Sequence, residues 1–324
     1  MKWILNLFLV TISSMCVAQS IGNTANNTVQ MGTALIINKP AIANNSNYRL
    51  INNEPGNANA WLQLYLWLTK TKEEQIFLQQ TLQSAKQYIG QSWQLSLMQF
   101  IASGKKDLNA IQYAIDHAEN KALIYPYAIH YAIINNKKDL LKEYAIALNN
   151  LAPIPALLYE YHYNALVSAA PDAKIYGKGL TDLAPMAILQ QVYNIRPDIE
   201  LKYYEGEIRN SANTYICLSA GKEIIERYPD ADYSGLLINL SSQNNMEAVE
   251  NSLKYFSLQK LLTAVTLTEE ESGFYKNYIP SFVLMYKWSK NMQQLDKAEK
   301  WKNYLQKIGT LTGSTKAIEK AIED

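Results

Sequence analysis

The stretch DAKIYGKGLTDLAPMAILQQVYNIRPDIELKYYEGE, residues 172–207, predicts the unit around which the rest of the chain is arranged. Its first part, residues 173–176, has the length and the residue types of a strand. We expect Gly177 and Gly179 to end this strand, because glycine adopts backbone angles that other residues avoid. The unit therefore opens with a strand and a glycine-bearing loop.

A helix and a second strand are predicted after this loop. Asp182 is a suitable N-cap, and Pro185 is expected in the first turn, where a helix has no backbone donor to lose. The helix should end at residues 196–198, Arg-Pro-Asp, because the residue before a proline avoids the α region. Residues 199–203 alternate apolar and polar side chains with the period of a strand. The three elements together predict a β-α-β unit.

The loop of this unit is the candidate ligand site. In open α/β sheets, ligands bind at the edge formed by the carboxyl ends of the strands. Gly179, Thr181 and Asp182 lie after the first strand, and Glu205 and Glu207 follow the second. We expect the three carboxylates to approach one another there and to recognise a cation or a glycan. The alternative is that they form a solvated rim.

The same stretch shares a gapless set of residues with a known family. They are Gly179, Asp182, Pro185, Leu189, Gln190, Val192, Arg196, Pro197 and Asp198. This pattern resembles the Gly-Asp-Asn-Asp-Thr-x-Pro, Leu-Gln-x-Val and Arg-Pro-Asp segment in the soluble C-terminal region of bacterial protein O-mannosyltransferase-like membrane proteins. The family's Asp, Asn and Thr are replaced here by Leu180, Thr181 and Leu183. The membrane spans that would carry glycosyl transfer are absent, so the resemblance implies the accessory domain without the catalytic part.

Residues 57–170 have the period of paired amphipathic helices. Trp61, Leu64 and Leu68, for example, fall on one helical face. The sequence Lys-Lys-Asp-Leu occupies residues 105–108 and again 137–140, so its two copies begin 32 residues apart. Helix-turn-helix solenoids repeat at about 34 residues.

This helical segment loosely resembles the tetratricopeptide repeat family. In that family, stacked α-hairpins form a concave surface, and the resemblance implies binding of peptides or protein termini. The alternative is a helical domain that only supports the unit that follows it.

The N-terminus predicts export. A positively charged start precedes an apolar run, residues 3–12, that is too short to remain across a bilayer. Cys16 and Ala18 occupy the two positions that a signal peptidase inspects. We predict a signal peptide over residues 1–18 and a periplasmic or cell-surface location. Lipid attachment at Cys16 is the disfavoured alternative, because the residues before it do not suit that modification.

Composition and charge exclude two classes of function. The net charge of +1 argues against a nucleic-acid-binding protein, which carries a basic patch or stripe. After the N-terminus, no run of 18 apolar residues occurs, so we do not expect an integral membrane protein. Cys217 would be the one cysteine left after cleavage, and we expect it to be a small buried hydrophobe.

The sequence shows no motif for catalysis, a metal ion or a cofactor. A Gly-x-Ser-x-Gly elbow is absent, and His117, His130 and His162 lack metal-ligand spacing. Residues 177–179, Gly-Lys-Gly, lack the glycine spacing of a nucleotide site. We therefore expect a protein that is not an enzyme and has no cofactor, with an enzyme of unrecognised type as an alternative.

The predicted fold is mostly α with a small α/β unit. Its segments are the signal peptide at 1–18, an Asn-rich flexible arm at 19–56, tetratricopeptide-like α-hairpins at 57–170, a small unit built on the β-α-β sheet at 171–267 and a C-terminal helical hairpin at 268–324. Further helices of the α/β unit are predicted over residues 212–228 and 246–256.

The function predicted from these features is a non-catalytic exported scaffold or adaptor that binds an envelope protein or peptide through its helical repeats. The alternative is a module that binds a glycan or a cation near Asp182. A second sugar-binding feature is the alternation of Tyr159, Tyr161 and Tyr163, since aromatic rings stack on sugars. The competing interpretation is that these tyrosines pack within the helical domain.

Overall fold

The computed structural model describes most of the chain after its N-terminal region. The described ranges are 39–71, 75–208, 212–218, 227–228, 231–241 and 246–323. The predicted signal peptide, residues 1–18, lies outside them. The chain is mostly helical, with a small sheet and a C-terminal helical pair, so the predicted fold class is confirmed.

The protein divides into two compact units. The first ends at Tyr131 and the second begins at Ala132. This division falls within one helix, Tyr125–Ile134, rather than near residue 170.

The described residues of the first unit are helical. The helices are α1 Pro40–Ala43, α2 Ser46–Asn53, α3 Ala58–Lys70, α4 Gln75–Tyr88, α5 Trp93–Ala102 and α6 Leu108–His117, followed by a 3-10 turn at Lys121–Leu123 and by α7 Tyr125–Ile134, which crosses into the second unit.

The prediction of a flexible arm is wrong for its last part, which forms α1 and α2. The side-chain oxygen of Asn45 accepts hydrogen bonds from the backbone N–H groups of Asn47, at 2.9 Å, and Tyr48, at 3.4 Å. Ile42 and Ile51 are completely buried. Asparagine in this segment therefore starts a helix, which is its preferred role at an N-cap.

The α-hairpins predicted for the first unit are present. Helix α3 packs on α4, α5 packs on α6, and α5 also contacts both helices of the preceding pair. Trp61 of α3 stacks on Tyr88 of α4, with ring centroids 6.1 Å apart. Each hairpin therefore buries its apolar face against the next one.

The two Lys-Lys-Asp-Leu copies follow equivalent helix ends and differ only at the start of the next helix. Helices α5 and α7 end 32 residues apart, at Ala102 and Ile134, and the backbone N–H groups of Lys105 and Lys137 bond to the carbonyls of Phe100 and Ala132. In the first copy, the N-cap of α6 is Asp107, whose carboxylate accepts the N–H of Ala110 at 3.1 Å. In the second copy, the N-cap is Lys137, and Asp139 lies inside the first turn. The turn itself therefore recurs after 32 residues, whereas the second of the two following helices begins two residues earlier than that spacing would place it.

The second unit combines helices with one sheet. In chain order its elements are α8 Lys138–Leu151, α9 Ala156–Val167, β1 Lys174–Gly177, α10 Leu180–Gln191, β2 Glu200–Tyr203, β3 Thr214–Cys217, β4 Asp232–Ser234, β5 Leu237–Asn239, α11 Met246–Leu253, α12 Gln259–Thr263, α13 Glu269–Lys276, α14 Tyr278–Asn291, α15 Leu295–Thr312 and α16 Thr315–Glu323.

The predicted β-α-β unit is confirmed. Strand β1 lies between β2 and β3 and is parallel to both, so that Ile175 is opposite Leu201 on one side and Tyr215 on the other. Strand β5 then runs antiparallel to β3 and β4, which gives the order β2-β1-β3-β5-β4. Helix α10 crosses from β1 to β2 and packs on α8 and α9.

The prediction of a helix over residues 212–228 is wrong for its described N-terminal part. Residues 214–217, within the helix predicted over 212–228, form strand β3. All four residues are buried, which suits a run of β-branched and aromatic side chains in the middle of a sheet. The helix predicted over 246–256 is present as α11.

The C-terminal helical hairpin is present as α14 and α15. Its interface is aromatic: Phe282 of α14 lies 5.2 Å from Trp301 of α15 between ring centroids. No helix in the described part of the chain has the length and apolar character needed to cross a membrane.

Candidate functional site

The loop after β1 carries Asp182 into the protein interior. The N-cap of α10 is Gly179, not Asp182 as predicted. The Asp182 carboxylate, 2% exposed, accepts the backbone N–H of Gly179 at 3.4 Å from the third helical position. A carboxylate there satisfies a helix N-terminus and interacts favourably with its dipole.

The glycines and the proline of this stretch have roles that differ from the predicted ones. Neither Gly177 nor Gly179 has a positive φ. A Cβ on Gly177 would lie 2.9 Å from the Leu183 side chain, so this glycine permits the close approach of α10 to β1. Pro185 lies inside α10, as its sixth residue, and not in the first turn. There it removes a backbone donor that a helix normally uses.

The predicted ligand residues differ in how far they are exposed to solvent. Asp182 is buried, whereas Glu205 and Glu207 are exposed and Thr181 and Gly179 are half-buried. Among the described residues, no group of three or more His, Cys, Asp and Glu side chains is placed to hold a metal ion. In the part of the chain that it describes, the structure therefore shows no such metal-binding group at this edge of the sheet, and ligand binding by these residues stays a prediction.

The charge of Asp182 affects the pKa values of buried neighbouring side chains. Burial, and then the charge of Asp182, raise the pKa of the Cys217 thiol well above its usual value. The pKa of Tyr161 is also well above its usual value, mainly because of burial. Since the thiolate is the reactive form of cysteine, Cys217 is an inert core residue, as the sequence predicted.

The Arg-Pro-Asp sequence forms a structural clamp. The Arg196 guanidinium donates hydrogen bonds to three backbone carbonyls at the end of α9 and just after it, at 2.8–3.0 Å. It also binds both carboxylate oxygens of Asp198, the closest at 2.7 Å. Asp198 in turn accepts the backbone N–H of Asp172 at 3.2 Å. Hydrogen bonding from Arg196 lowers the pKa of Asp198 to about 2.

Helix α9 carries a stripe of buried polar residues that the sequence analysis missed. Glu160 is 2% exposed, and its carboxylate accepts the backbone N–H groups of Lys260, at 2.7 Å, and Leu261, at 2.8 Å, together with the hydroxyl of Ser257, at 3.0 Å. These donors include the first turn of α12. Glu160 therefore supplies the N-terminal cap of a helix about one hundred residues further along the chain.

Asn164 and Ser168 continue this stripe. The Asn164 amide exchanges two hydrogen bonds with the backbone of Ser257, at 2.6 and 2.8 Å, and donates to the Tyr278 hydroxyl at 2.8 Å. The Ser168 hydroxyl accepts the backbone N–H of Leu236 at 3.0 Å. The stripe thus fixes three separate parts of the second unit to α9.

A signal for this stripe exists in the sequence. Glu160, Asn164 and Ser168 are spaced four residues apart, so they lie along one face of α9. Such a polar row in a helix that is otherwise rich in Leu, Ala and Tyr indicates buried hydrogen-bond partners. The partners themselves cannot be read from the spacing.

A pocket opens beside this stripe, which we call the α9 pocket. It has a volume of about 340 Å³. It is lined by Ile154, Ala156, Tyr159, Glu160, Tyr163, Ser257, Gln259 and Lys260. Small-molecule sites in proteins begin at about 300 Å³ and combine apolar walls with a few polar groups. The α9 pocket has both properties.

The tyrosines that alternate in the sequence separate into two groups. Tyr161 is 2% exposed and does not line the pocket, whereas Tyr159 and Tyr163 do. Tyr159 also packs edge-to-face on Tyr193, with centroids 5.5 Å apart. Burial and the neighbouring Tyr193 and Tyr163 raise the pKa of Tyr159, which keeps its hydroxyl protonated.

His162 is a fully buried histidine whose two ring nitrogens have no hydrogen-bond partner among the described residues. It packs against the rings of Tyr161 and Phe274, at centroid distances of 5.1 and 5.2 Å. Burial lowers its pKa to about 3, so the ring is neutral at physiological pH. The side chain is therefore a destabilising feature of the core.

We expect His162→Leu to stabilise the protein by about 1–3 kcal/mol at pH 7, because it removes a buried group with unmade hydrogen bonds. Below a pH of about 6.5, His162 binds a proton in the unfolded chain but not in the folded protein. The free energy of unfolding of the wild type should therefore fall by up to about 1.4 kcal/mol for each unit by which the pH is lowered. The variant should lack this part of the acid dependence. Urea unfolding between pH 7 and pH 4 measures both effects.

The exposed His117 gives the matched control for this experiment. An effect of His117→Leu as large as that of His162→Leu would show that burial of the ring is not the cause. A His162→Leu variant that folds but is less stable at pH 7, with an unchanged acid slope, would show that the ring is satisfied in solution.

Comparison with known proteins gives no relative for this arrangement. No protein-family model, curated protein or solved structure matches the chain. The resemblances to the O-mannosyltransferase-like region and to tetratricopeptide repeats therefore stay predictions.

Proposed function

We propose that this chain is a non-catalytic, exported scaffold or adaptor of a bacterial cell envelope, which binds another envelope protein or a peptide through its helical hairpins. The observation that supports this most is the stacking of the α3–α4 and α5–α6 hairpins in the first unit. Stacked hairpins form extended surfaces whose side chains are fixed by the helices beneath them.

Helix α4 is the part of this stack that suits a partner best. Of its 14 residues, only Thr81 and Ala85 are buried. Phe77, Leu78 and Leu82 nevertheless give it apolar side chains, and each of these is half-buried. The helix thus keeps apolar area that a partner would cover.

The use of the buried polar side chains in the second unit also favours a structural protein. Glu160, Asn164 and Asp182 all make hydrogen bonds that hold backbone segments in place. These bonds explain their burial without a substrate.

Site-specific photo-crosslinking in cells tests the proposal. A photoreactive residue at the exposed Gln79, which neighbours Leu82 on α4, should give a discrete adduct with an envelope protein in the periplasmic or cell-surface fraction. The same residue at the exposed Asn303 of α15 is the matched control and should give none. Adding Leu82→Gln should reduce the adduct several-fold. Equal labelling from both positions, or no adduct from Gln79, would contradict the proposal.

A further inference from the structure

The two sides of the α9 pocket differ in chemistry. Tyr159 and Tyr163 are four residues apart on α9, so their rings lie on one face of the helix. Both are half-buried, which leaves part of each ring open to a ligand. The facing segment supplies Ser257, Gln259 and Lys260, three residues with polar side chains. An aromatic wall opposite hydrogen-bonding groups suits a ligand that has an apolar face and a polar edge.

The polar wall is held in place before any ligand arrives. The Glu160 carboxylate accepts the backbone N–H groups of Lys260 and Leu261. The Asn164 amide donates to the carbonyl of Ser257 and accepts its backbone N–H. A wall that is fixed in advance loses little freedom on binding, which favours affinity for a small ligand.

The charges of the pocket balance. Glu160 contributes one negative charge at its base, where the residue is 2% exposed and its carboxylate is bound by Ser257, Lys260 and Leu261. Lys260 contributes one positive charge, and it is exposed. A neutral ligand rich in hydroxyl groups faces no like charge in the pocket, whereas an anion would be repelled by Glu160 and a cation by Lys260.

We propose that the α9 pocket binds one neutral hexose ring of a glycan. The carbon–hydrogen face of the sugar lies on Tyr159 and Tyr163, and its hydroxyl groups bond with Gln259, Lys260 and Ser257. The pocket volume of about 340 Å³ accommodates a single ring with its neighbouring glycosidic bond. This binding site lies in the second unit and does not depend on the scaffold function proposed for the hairpins.

Saturation-transfer NMR with the full chain tests the proposal, using methyl glucoside, methyl galactoside and methyl mannoside as probes. At least one of them should bind with a dissociation constant on the order of 1 mM, as expected for a ligand of this size. Glucuronate and glucosamine, which carry a charge, should bind at least about threefold more weakly because of Glu160 and Lys260.

Substitutions then locate the site. Tyr163→Leu should weaken hexoside binding by about three- to tenfold, because it removes one stacking ring, while Tyr163→Phe should keep most of the affinity. Gln259→Ala should also weaken binding. Lys320→Gln, an exposed change on α16, is the matched control and should have no effect.

Three outcomes would overturn the inference. The first is an absence of binding for all three hexosides at about ten times the expected dissociation constant. The second is hexoside binding that Tyr163→Leu and Gln259→Ala leave unchanged. The third is binding of glucuronate or glucosamine that is as tight as that of the hexosides.

Discussion

Arg196→Lys is expected to lower the free energy of unfolding by about 2–4 kcal/mol, since hydrogen bonds to charged groups contribute about 1.5–3 kcal/mol each. Lysine keeps the positive charge but lacks the planar fork that reaches three carbonyls and the Asp198 carboxylate together. The Arg196 side chain is 22% exposed, so solvent screens these contacts only in part. Urea unfolding at pH 7 measures the loss.

The pH dependence of this variant gives a second readout. The folded-state pKa of Asp198 lies below its unfolded value, so its contribution to stability is present above pH of about 4 and is lost as the pH falls through about 2. The difference in the free energy of unfolding between the wild type and Arg196→Lys should therefore become smaller as the pH falls from about 4 to about 2.

The ion pair between Lys202 and Glu200 provides the control for Arg196. Its side chains are 35% and 46% exposed, and exposed pairs contribute at most about 1 kcal/mol. Lys202→Gln should thus change stability far less than Arg196→Lys does. Similar losses in the two variants would show that Arg196 acts only as a surface charge and that the clamp is not formed.

Glu160→Gln is the second change with a large expected effect. The glutamine has the same shape and keeps one acceptor oxygen, but its amide nitrogen cannot accept a hydrogen bond, so the N–H group of either Lys260 or Leu261 loses its acceptor. We expect a loss of about 2–4 kcal/mol, because a buried donor is left without its partner and a charged acceptor is removed.

Hydrogen exchange distinguishes this role from a general loss of stability. The backbone amides of Lys260 and Leu261 should exchange faster in Glu160→Gln, by more than the change in global stability explains. Glu271 gives the comparison, since it is also buried but caps its own helix through Thr268. Glu271→Gln should leave the amides of α12 protected. Equal protection of α12 in both variants would contradict the long-range cap.

The β-α-β unit was predictable because its signals are local. Residues 199–203 alternate with the period of a strand, and strand β2 forms there. The stop predicted at Arg196-Pro197 lies too far along the chain, because helix α10 already ends at Gln191, five residues earlier. The paired helices of the first unit were predictable for the same reason, since their apolar residues recur at helical spacing. Strand β3 was missed because its four residues have no polar alternation when both faces are buried.

The candidate site was predicted less well than the fold. The loop at Gly179 was chosen because ligands bind at the carboxyl edge of a parallel sheet, but Asp182 turns inward and serves as a helix cap. The α9 pocket requires α9 and residues 257–260 to meet, although they are about one hundred residues apart. Of this site, the sequence showed only the tyrosines.

The amino-acid sequence by itself determined the paired helices of the first unit and the β-α-β order of the second, since side-chain periodicity and capping act over a few residues. Tertiary structure alone decided the roles of Glu160, Asp182 and Arg196, because each role depends on which distant backbone groups come within hydrogen-bond distance. A buried carboxylate and an exposed one look alike in a sequence. They differ in the folded protein, because a carboxylate that is buried away from water needs hydrogen-bond partners within the protein, whereas an exposed one does not.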